Sequence, residues 1–281
     1  MLIDLHAHST ASDGTDTPAE LVAAAVAAGL DVVAITDHDS TDGWADATEA
    51  AQRHGIRLVR GIELSCAAGG ISLHVLGYLH DPTYEPLLRE MDHARTSRTE
   101  RARRITAKLA ADVPIDYADV LAQVHQGATV GRPHIADALV ANGIVRDRDE
   151  AFATYLYDGS PYYARHYAPS AVDGVRLIRA AGGVPVMAHP FAAKRGRIVA
   201  DEVIEEMAAA GLVGLEAHHP DHTDQQERHA LDLARALGLL VTGSSDYHGT
   251  GKVNRLAERT TPQGVFEALV GRETASPLVG A

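Results

Sequence analysis

Two pairs of potential metal ligands near opposite ends of the chain constrain the fold most. His6 and His8 form the first pair, Asp246 and His248 form the second, and each pair follows a short apolar, strand-like stretch. Where the carboxyl end of a strand opens into a loop, both side chains of such a pair can reach one cation. If the two pairs meet in space, we expect a closed α/β barrel with a metal site at its mouth.

The rest of the sequence alternates strand-like stretches with helix signals. Thr17 to Glu20, for example, form a capping box with Pro18 at the first helical position, and Gly29 would end that helix. This alternation predicts parallel strands joined by crossover helices. The predicted strands are residues 2–6, 31–36, 58–64, 71–79, 184–188, 213–217 and 239–243.

One long segment interrupts the alternation. Residues 83–157 are charged and helical in pattern, and a turn-rich stretch over 158–169 follows. We therefore predict a barrel domain over residues 1–82 and 166–281, and an inserted helical lid domain over residues 83–165, called the helical insert.

Composition excludes several classes of protein. The net charge of −13 argues against a broad nucleic-acid-binding face, although bound cations would still allow a small phosphorylated substrate. The single cysteine, Cys66, excludes an intramolecular disulfide, and we interpret it as a small buried thiol. With no signal peptide and no membrane-spanning run in the pattern, we expect a cytoplasmic protein, and nothing indicates an obligate protein partner.

Polar side chains follow almost every predicted strand. Parallel barrels collect functional groups at the carboxyl ends of their strands, and crowded carboxylates repel one another unless cations offset the charge. The pattern therefore predicts a site for several metal ions, and its mixed nitrogen and oxygen donors suit Zn²⁺, Mn²⁺ or Fe²⁺ better than Ca²⁺. The residues are His6, His8, Asp13, Asp37, His38, Glu63, His74, His189, Glu216, His218, His219, Asp246 and His248.

These motifs and their order resemble the polymerase-and-histidinol-phosphatase (PHP) family. The resemblance implies a distorted (β/α)7 barrel with three divalent metal ions, for which we expect Mn²⁺, with Fe²⁺ or Zn²⁺ as alternatives. It also implies how the ligands divide. One ion takes His6, His8, Glu63 and Asp246; a second takes Glu63 as a bridge, His74 and His189; the third takes Asp13, His38 and His248.

Within the family, the chain is most similar to the subgroup of nucleotide phosphatases and 5′-3′ oligoribonucleases. That likeness implies hydrolysis of phosphomonoesters of small nucleotides, foremost the 3′-phosphate of 3′,5′-bisphosphonucleotides such as pAp, by attack of a metal-bridging hydroxide. Short 5′-phosphorylated RNA is a further candidate substrate. The alternatives are a histidinol-phosphate phosphatase and a non-catalytic metal-binding regulatory module.

Basic side chains in loops are the candidate phosphate contacts. Arg132 and His134 lie in a Gly-Arg-Pro-His turn that enters a helix, and an arginine fork suits a bidentate phosphate contact. Lys194 and Arg195 could hold a second phosphate, and Arg165 is a comparable candidate. Each of them could instead be a solvated loop residue.

The remaining histidines divide into two groups. His219 and His222 are predicted substrate contacts, and one of them could protonate the leaving group, as could a metal-bound water. The others lie without partners in helices or turns, and we interpret them as surface or capping residues. They are His54, His80, His93, His125 and His229.

Overall fold

A computed structural model describes residues 1–125 and 127–280. The strands are β1 (Ile3–Asp4), β2 (Val32–Ile35), β3 (Arg57–Ala68), β4 (Ile71–Tyr78), β5 (Val184–Met187), β6 (Gly214–His218) and β7 (Leu240–Gly243). The helices are α1 (Pro18–Ala27), α2 (Trp44–His54), α3 (Glu85–Leu109), α4 (Tyr117–Leu121), α5 (Arg132–Ala141), α6 (Arg148–Ala151), α7 (Ala171–Ala180), α8 (Asp201–Ala209), α9 (Asp224–Leu237) and α10 (Gln263–Val270). A π-helical turn spans Phe152–Leu156 and a 3₁₀ turn spans Ala193–Arg195.

The strands form one seven-stranded sheet in the order β1 to β7. Beyond the ends of the first and last strands, Ala7 forms a parallel bridge with Tyr247, and the His8 N–H donates to the Tyr247 carbonyl at 2.8 Å. This contact nearly closes the sheet and brings the two ends of the chain together. The predicted seven-stranded α/β barrel is confirmed.

The prediction that all strands run parallel is wrong for β4. This strand is antiparallel to both β3 and β5. The reason is the connection: only Gly69 and Gly70 separate β3 from β4, with φ of 55° and 76°. A two-residue turn with positive φ at both positions joins a hairpin, whereas parallel strands need a long crossover.

Local sequence signals fix the first helix as predicted. The Thr17 hydroxyl accepts from the Glu20 N–H at 3.3 Å, and the Glu20 carboxylate accepts from the Thr17 N–H at 2.8 Å. Pro18 occupies the first turn, where its missing N–H costs nothing. The resulting α1 packs against α2 on the outside of the barrel wall.

Alternate strand residues supply the barrel interior. Ile3, Leu5 and Val186 pack there with Phe266 of α10, all almost fully buried. The neighbouring positions, such as Val33 and Ile35, face outward and pack with the surrounding helices. This alternation leaves the polar residues beyond the strand ends free to form a site at one rim.

The helical insert has an apolar cluster of its own, drawn from residues between 102 and 164. The long helix α3 joins the two regions, because Leu87 packs in the main core and Ile105 packs in the insert. The proposed boundaries at residues 82/83 and 165/166 stay a prediction. None of the helices in the described ranges combines the length and apolar character needed to cross a bilayer.

His80 is not a surface or capping residue, so that interpretation is wrong. Its side chain is fully buried, its ring lies edge-on to Trp44 with centroids 4.8 Å apart, and its Nδ1 donates to the Gly77 carbonyl at 3.2 Å. Burial lowers the pKa of His80 to about 4, which keeps this core imidazole neutral.

Close packing of α7 on β3 leads to a test. A Cβ at Gly174 would collide with Cys66 Sγ and lie 3.4 Å from Leu64 Cδ2, and both residues are fully buried. We expect Gly174→Ala to lower the free energy of unfolding by about 1–3 kcal/mol, as overpacking does. Urea unfolding would measure the change.

Gly264→Ala is the matched control, because Gly264 is also helical and a Cβ there meets nothing within 4 Å. It should be neutral or stabilise by up to about 1 kcal/mol. Equal stability of the two variants would contradict the packing argument.

Candidate metal centre and active site

All the metal ligands implied by the resemblance converge at the rim where the barrel closes. We refer to them as the metal-site cluster. They come from the segments after β1, β2, β5 and β7, from the loop before α1, and from β3 and β4 themselves. The members are His6, His8, Asp13, His38, Glu63, His74, His189, Asp246 and His248.

Glu63 lies at the centre of the metal-site cluster, with a side chain only 2% exposed. One carboxylate oxygen, Oε2, lies 3.3 Å from His6 Nε2, 3.1 Å from His8 Nε2 and 3.2 Å from His38 Nδ1. Three imidazoles from two separate loops therefore face a single oxygen.

The second Glu63 oxygen faces different partners. Its Oε1 lies 2.8 Å from His74 Nδ1 and 3.0 Å from His189 Nε2. Because the two oxygens face separate sets of nitrogens, the carboxylate has the geometry that a bridging ligand requires.

Two aspartates complete the anionic part of the cluster. Asp246 Oδ1 lies 3.4 Å from His6 Nε2 and 3.3 Å from His8 Nε2. Asp13 Oδ1 lies 3.3 Å from His248 Nε2. Asp246 and Asp13 thus lie on either side of His8, whose Nδ1 is 3.7 Å from Asp13 Oδ1.

Unsatisfied buried atoms test whether cations fit this cluster. Within the described ranges, His38 Nδ1, His74 Nδ1 and Asp246 Oδ1 are buried and make no hydrogen bond. Such atoms are rare and costly in a folded protein. All three point toward other cluster donors, so divalent cations would satisfy them, and the imidazole and carboxylate donors suit Mn²⁺, Fe²⁺ or Zn²⁺.

The tautomer of His6 supports the same conclusion. Its Nδ1 lies 3.0 Å from Glu216 Oε1, and because a carboxylate only accepts, Nδ1 carries the proton. The Nε2 lone pair then faces Glu63 Oε2 and the Nε2 of His8, which is 3.1 Å away. A carboxylate that holds the outer nitrogen of a histidine is the usual support of a metal ligand.

Three subsets of the cluster place their ligand atoms close enough together to hold an ion. They are His6, His8, Glu63 and Asp246; His8, Asp13 and His38; and His38, Glu63 and His74. The first has the membership that the resemblance implies. The other two differ from the implied membership in one member each. His38 takes the place of His189 beside Glu63 and His74, and His8 takes the place of His248 beside Asp13 and His38.

Electrostatics favours the metal-binding protonation state for Glu63 and His189 but not for every ligand. Burial acts to raise the pKa of Glu63, but the imidazoles of His74, His38 and His6 outweigh it and hold that pKa well below its ordinary value. Burial, with help from Arg195, lowers the pKa of His189 to about 3. Ionised carboxylates and neutral imidazoles are the ligand forms.

Burial acts to lower the pKa of His6 and His8, but the surrounding carboxylates outweigh it. They hold the pKa of His6 well above its ordinary value and raise the pKa of His8 to about 9. Bound cations would therefore displace protons from these two histidines.

Glu216 is a residue whose role the sequence did not predict. It lies on β6, fully buried, and its Oε2 accepts from the His189 N–H at 2.9 Å while its Oε1 holds His6. Ser244 also donates to it. Its position at a strand end was visible in the sequence, but the pattern there gives no sign that it supports ligands instead of binding metal itself.

The side chains of the Gly-Arg-Pro-His turn form hydrogen bonds within the helical insert. Arg132 Nη1 donates to Asp158 Oδ1 at 2.9 Å and to the Leu156 carbonyl at 3.0 Å. His134 is buried, and its Nδ1 accepts from the Gly131 N–H at 3.1 Å, which closes the first turn of α5. The phosphate-binding role predicted for Arg132 and His134 stays a prediction.

The second group of predicted basic contacts is partly neutralised. Arg195 donates to Asp221 Oδ2 at 2.7 Å and also pairs with Asp246. Lys194, 71% exposed, lies 3.1 Å from Asp221 Oδ1. Arg165 is exposed on the return from the insert. Of these three side chains, only Arg195 contacts the metal-site cluster.

The two predicted catalytic histidines differ in whether a ring nitrogen is available to a substrate. His222 Nδ1 donates to the Ala217 carbonyl at 2.8 Å, and its Nε2 accepts from the Phe191 N–H at 3.2 Å. Because both ring nitrogens hold backbone groups, this geometry argues against the predicted catalytic role of His222.

His219 keeps a ring nitrogen available. Its Nδ1 accepts from the Asp221 N–H at 3.0 Å, so the neutral ring carries its proton on Nε2. That Nε2 lies 3.6 Å from Asp246 Oδ2 and makes no hydrogen bond in the part of the chain that the structure describes. His219 therefore presents an N–H donor beside the metal-site cluster.

Comparison with known proteins identifies the family to which this site belongs. A family model described as the PHP domain matches residues 4–157. The chain belongs to the PHP family. A relative from Chromobacterium violaceum, named 3′,5′-nucleoside bisphosphate phosphatase, is 36% identical over 255 residues, which covers 90% of this chain and 89% of the relative. A Haemophilus influenzae relative, named 5′-3′ exoribonuclease, is 32% identical over 246 residues, or 87% of this chain and 89% of that protein.

A solved structure gives the same result for the fold. A protein from Bifidobacterium adolescentis, provisionally described as a metal-dependent phosphoesterase, superposes with a TM-score of 0.94 at 41% identity, covering 97% of this chain and 96% of that chain. This PHP protein is a metal-dependent phosphoesterase with a nearly closed barrel.

The position of Glu63 leads to a prediction about metal content. Glu63→Gln keeps the shape of the side chain but removes the charge that faces imidazoles on two sides. We expect the protein to lose bound metal and its hydrolytic rate to fall by more than roughly 100-fold, since even supporting residues cost 10–100-fold. Elemental analysis after dialysis would measure the metal. Glu205→Gln, an exposed position on α8, is the control, and unchanged metal content in the Glu63 variant would refute the bridging role.

Glu216→Gln tests the support of His6 and His189. An amide cannot accept all the hydrogen bonds that the carboxylate accepts, so the two histidines would lose their fixed orientation. We expect metal affinity to fall roughly 10–100-fold, with turnover recovering at saturating metal. A metal titration of activity would separate the two effects. If turnover stayed low at saturating metal, Glu216 would have a direct part in the reaction.

Proposed function

We propose that this PHP protein hydrolyses the 3′-phosphate of small 3′,5′-bisphosphonucleotides such as pAp. Short 5′-phosphorylated RNA is a further candidate substrate. The observation that carries the proposal is that the helical insert approaches the basic loop after β5, whose Arg195 pairs with Asp246 of the metal-site cluster. Arg132 pairs with Asp158, and a Cβ at Gly196, in the basic loop after β5, would lie 2.7 Å from Asp158 Oδ2.

Three divalent metal ions, with Mn²⁺ expected, would bind to the metal-site cluster. Glu63 would bridge two of them, and His6, His8 and Asp246 would complete the set around the first. Bound divalent cations would activate water as a nucleophile near neutral pH and offset the charge of the phosphoryl oxygens.

The neighbouring side chains would position the ligands and the substrate. Arg195 holds Asp246 Oδ2, which leaves Asp246 Oδ1 directed at His6 and His8. His219 would donate its Nε2–H to the departing group or to a phosphoryl oxygen. Burial lowers the pKa of His219, so the ring would act as a neutral hydrogen-bond donor rather than as an imidazolium.

Two basic regions favour a substrate with two phosphates. A histidinol-phosphate phosphatase needs the same metals but only one phosphate site, and the arginines of the helical insert would then have no ligand. The relative named for bisphosphonucleotides covers nearly the whole chain, insert included. The relative named as a 5′-3′ exoribonuclease does so as well, which supports testing short RNA.

The deciding experiment measures phosphate release with Mn²⁺ from pAp, 3′-AMP, 5′-AMP, histidinol phosphate and a short 5′-phosphorylated RNA. A second phosphate held by charge-assisted hydrogen bonds should raise kcat/KM for pAp over 3′-AMP by roughly 10–100-fold. A chelator should abolish all activity, and the Glu63→Gln variant controls for contaminating phosphatases. Preference for histidinol phosphate or for 5′-AMP would overturn the proposal while leaving the metal site in place.

A further inference from the structure

The face of the helical insert that meets the barrel carries a group of arginines. Arg98 and Arg101 lie three residues apart on α3, hence on the same face, and each is only 9% exposed. Arg132, at the start of α5, is the third member, since a Cβ at the neighbouring Gly131 would lie 3.7 Å from Arg98 Nη1. We call Arg98, Arg101 and Arg132 the insert arginine cluster.

Arg101 differs from its two neighbours in having no anionic partner. Arg98 pairs with Asp39 at 2.9 Å and Arg132 pairs with Asp158 at 2.9 Å. The Arg101 Nε donates to the Ala164 carbonyl at 2.9 Å, and its guanidinium lies 5.4 Å from the centre of the Tyr163 ring. Among residues 1–125 and 127–280, no carboxylate forms an ion pair with it.

A buried cation without an anion is unfavourable unless a ligand supplies the charge. Proteins almost never bury arginine unpaired. Burial, followed by the positive charges of Arg132 and Arg98, lowers the pKa of Arg101 to about 9. An anion bound beside it would relieve this repulsion.

The insert arginine cluster lies next to the metal-site cluster. Arg98 Nε is 3.0 Å from Ser65 Oγ, and Ser65 is paired directly opposite His74 in the β3–β4 hairpin. The Arg98 partner Asp39 follows His38 in the chain. Arg101 lies about 4.5 Å further along the helix axis, since three residues of α-helix rise by that amount.

His166 belongs to a segment that lies against α3, because the Tyr167 N–H donates to Ser97 Oγ at 2.7 Å and Arg104 donates to the Arg165 carbonyl at 2.6 Å. Burial, then the charges of Arg101 and Arg98, and then nearby His74, lower the pKa of His166 to about 2. A neutral imidazole there can donate or accept a hydrogen bond without adding charge. This segment and the buried face of α3 therefore bring a neutral donor and cationic donors together.

We propose that Arg101 binds the phosphate that is not hydrolysed, in an anion site completed by Arg98, Arg132 and His166. This inference rests on the proposed function and names the anchor for its substrate: a phosphomonoester dianion, the 5′-phosphate of a bisphosphonucleotide, while the 3′-phosphate lies at the metal-site cluster. As the anchor itself, Lys194 and Arg195 are weaker candidates than Arg101, because each is ion-paired with Asp221 or Asp246, whereas Arg101 pairs with no carboxylate among the described residues. The terminal nitrogens of Arg101 make no hydrogen bond within the described residues, so its fork is available for bidentate binding.

Arg101→Met tests the site, because methionine keeps the contact with Tyr163 and removes the charge. We expect kcat/KM for pAp to fall by roughly 10–100-fold, mainly through KM, as for loss of a charge-assisted hydrogen bond. Hydrolysis of 3′-AMP, which lacks the second phosphate, should not change. Competitive inhibition by 5′-AMP should weaken by the same factor as pAp binding.

Arg103→Met is the matched control. Arg103 lies on the same helix but is exposed and stacks on Tyr117, 5.1 Å from the ring centre, so its loss should leave both substrates unaffected. Equal losses for pAp and 3′-AMP in the Arg101 variant would overturn the proposal, because they would indicate a structural role through Ala164 or a contact with the scissile phosphate.

Arg101→Lys covers the case in which the methionine variant does not fold. It keeps a charge and a donor for Ala164 but loses the fork, so kcat/KM for pAp alone should fall several-fold. Unchanged pAp kinetics in the lysine variant would count against the site.

A binding experiment separates this inference from the proposed function. Calorimetry with 5′-AMP and metal-free protein measures the anion site without catalysis. Retained binding in wild type and Arg103→Met, with loss in Arg101→Met, would support the site even if wild type showed no preference for pAp. Equal binding by all three proteins, or none by wild type, would overturn it.

Discussion

The structure depends on one electrostatic constraint, the burial of the Glu63 carboxylate among imidazoles. A carboxylate and several histidines can share a dry site only if each donor atom finds a proton or a cation. The histidines come from both ends of the chain, so the barrel must close for the site to exist. The contact between Ala7 and Tyr247 provides that closure, and it adjoins His8 and Asp246 directly.

The sequence predicted much of this arrangement because strand ends carry strong local signals. Apolar stretches that end in His6, His38, His189 or His248 are easy to recognise, and a barrel brings such ends to one rim. The direction of β4 was missed because direction depends on the two-glycine connection, which the strand pattern itself does not reveal. The role of His222 could not be predicted for a similar reason. Its ring nitrogens bind the Ala217 carbonyl and the Phe191 N–H, and these backbone groups reach the ring only in the folded protein.

The arginines of α3 show a different limit of sequence reasoning. Arginine in a charged helix usually lies on a solvated face, so nothing in the local pattern distinguishes Arg98 and Arg101 from exposed Arg103. Their burial follows from how the insert docks on the barrel. That docking uses the loops of the metal-site cluster, since Thr129 donates to the His38 carbonyl at 2.8 Å and Arg98 pairs with Asp39. A hydrogen bond and an ion pair thus join the insert to the loop that carries His38.

The antiparallel hairpin of β3 and β4 has a consequence for the dynamics of the site. Glu63 and His74 lie within regular strands, where Glu63 is paired with Leu76 and also bridged to His38, whereas the other donors lie in loops or just beyond strand ends. Backbone amides in such a ladder open only with a large part of the sheet, while loop amides open locally. The centre of the site should therefore be its slowest-exchanging part, and the backbone amides of the surrounding loops should exchange faster.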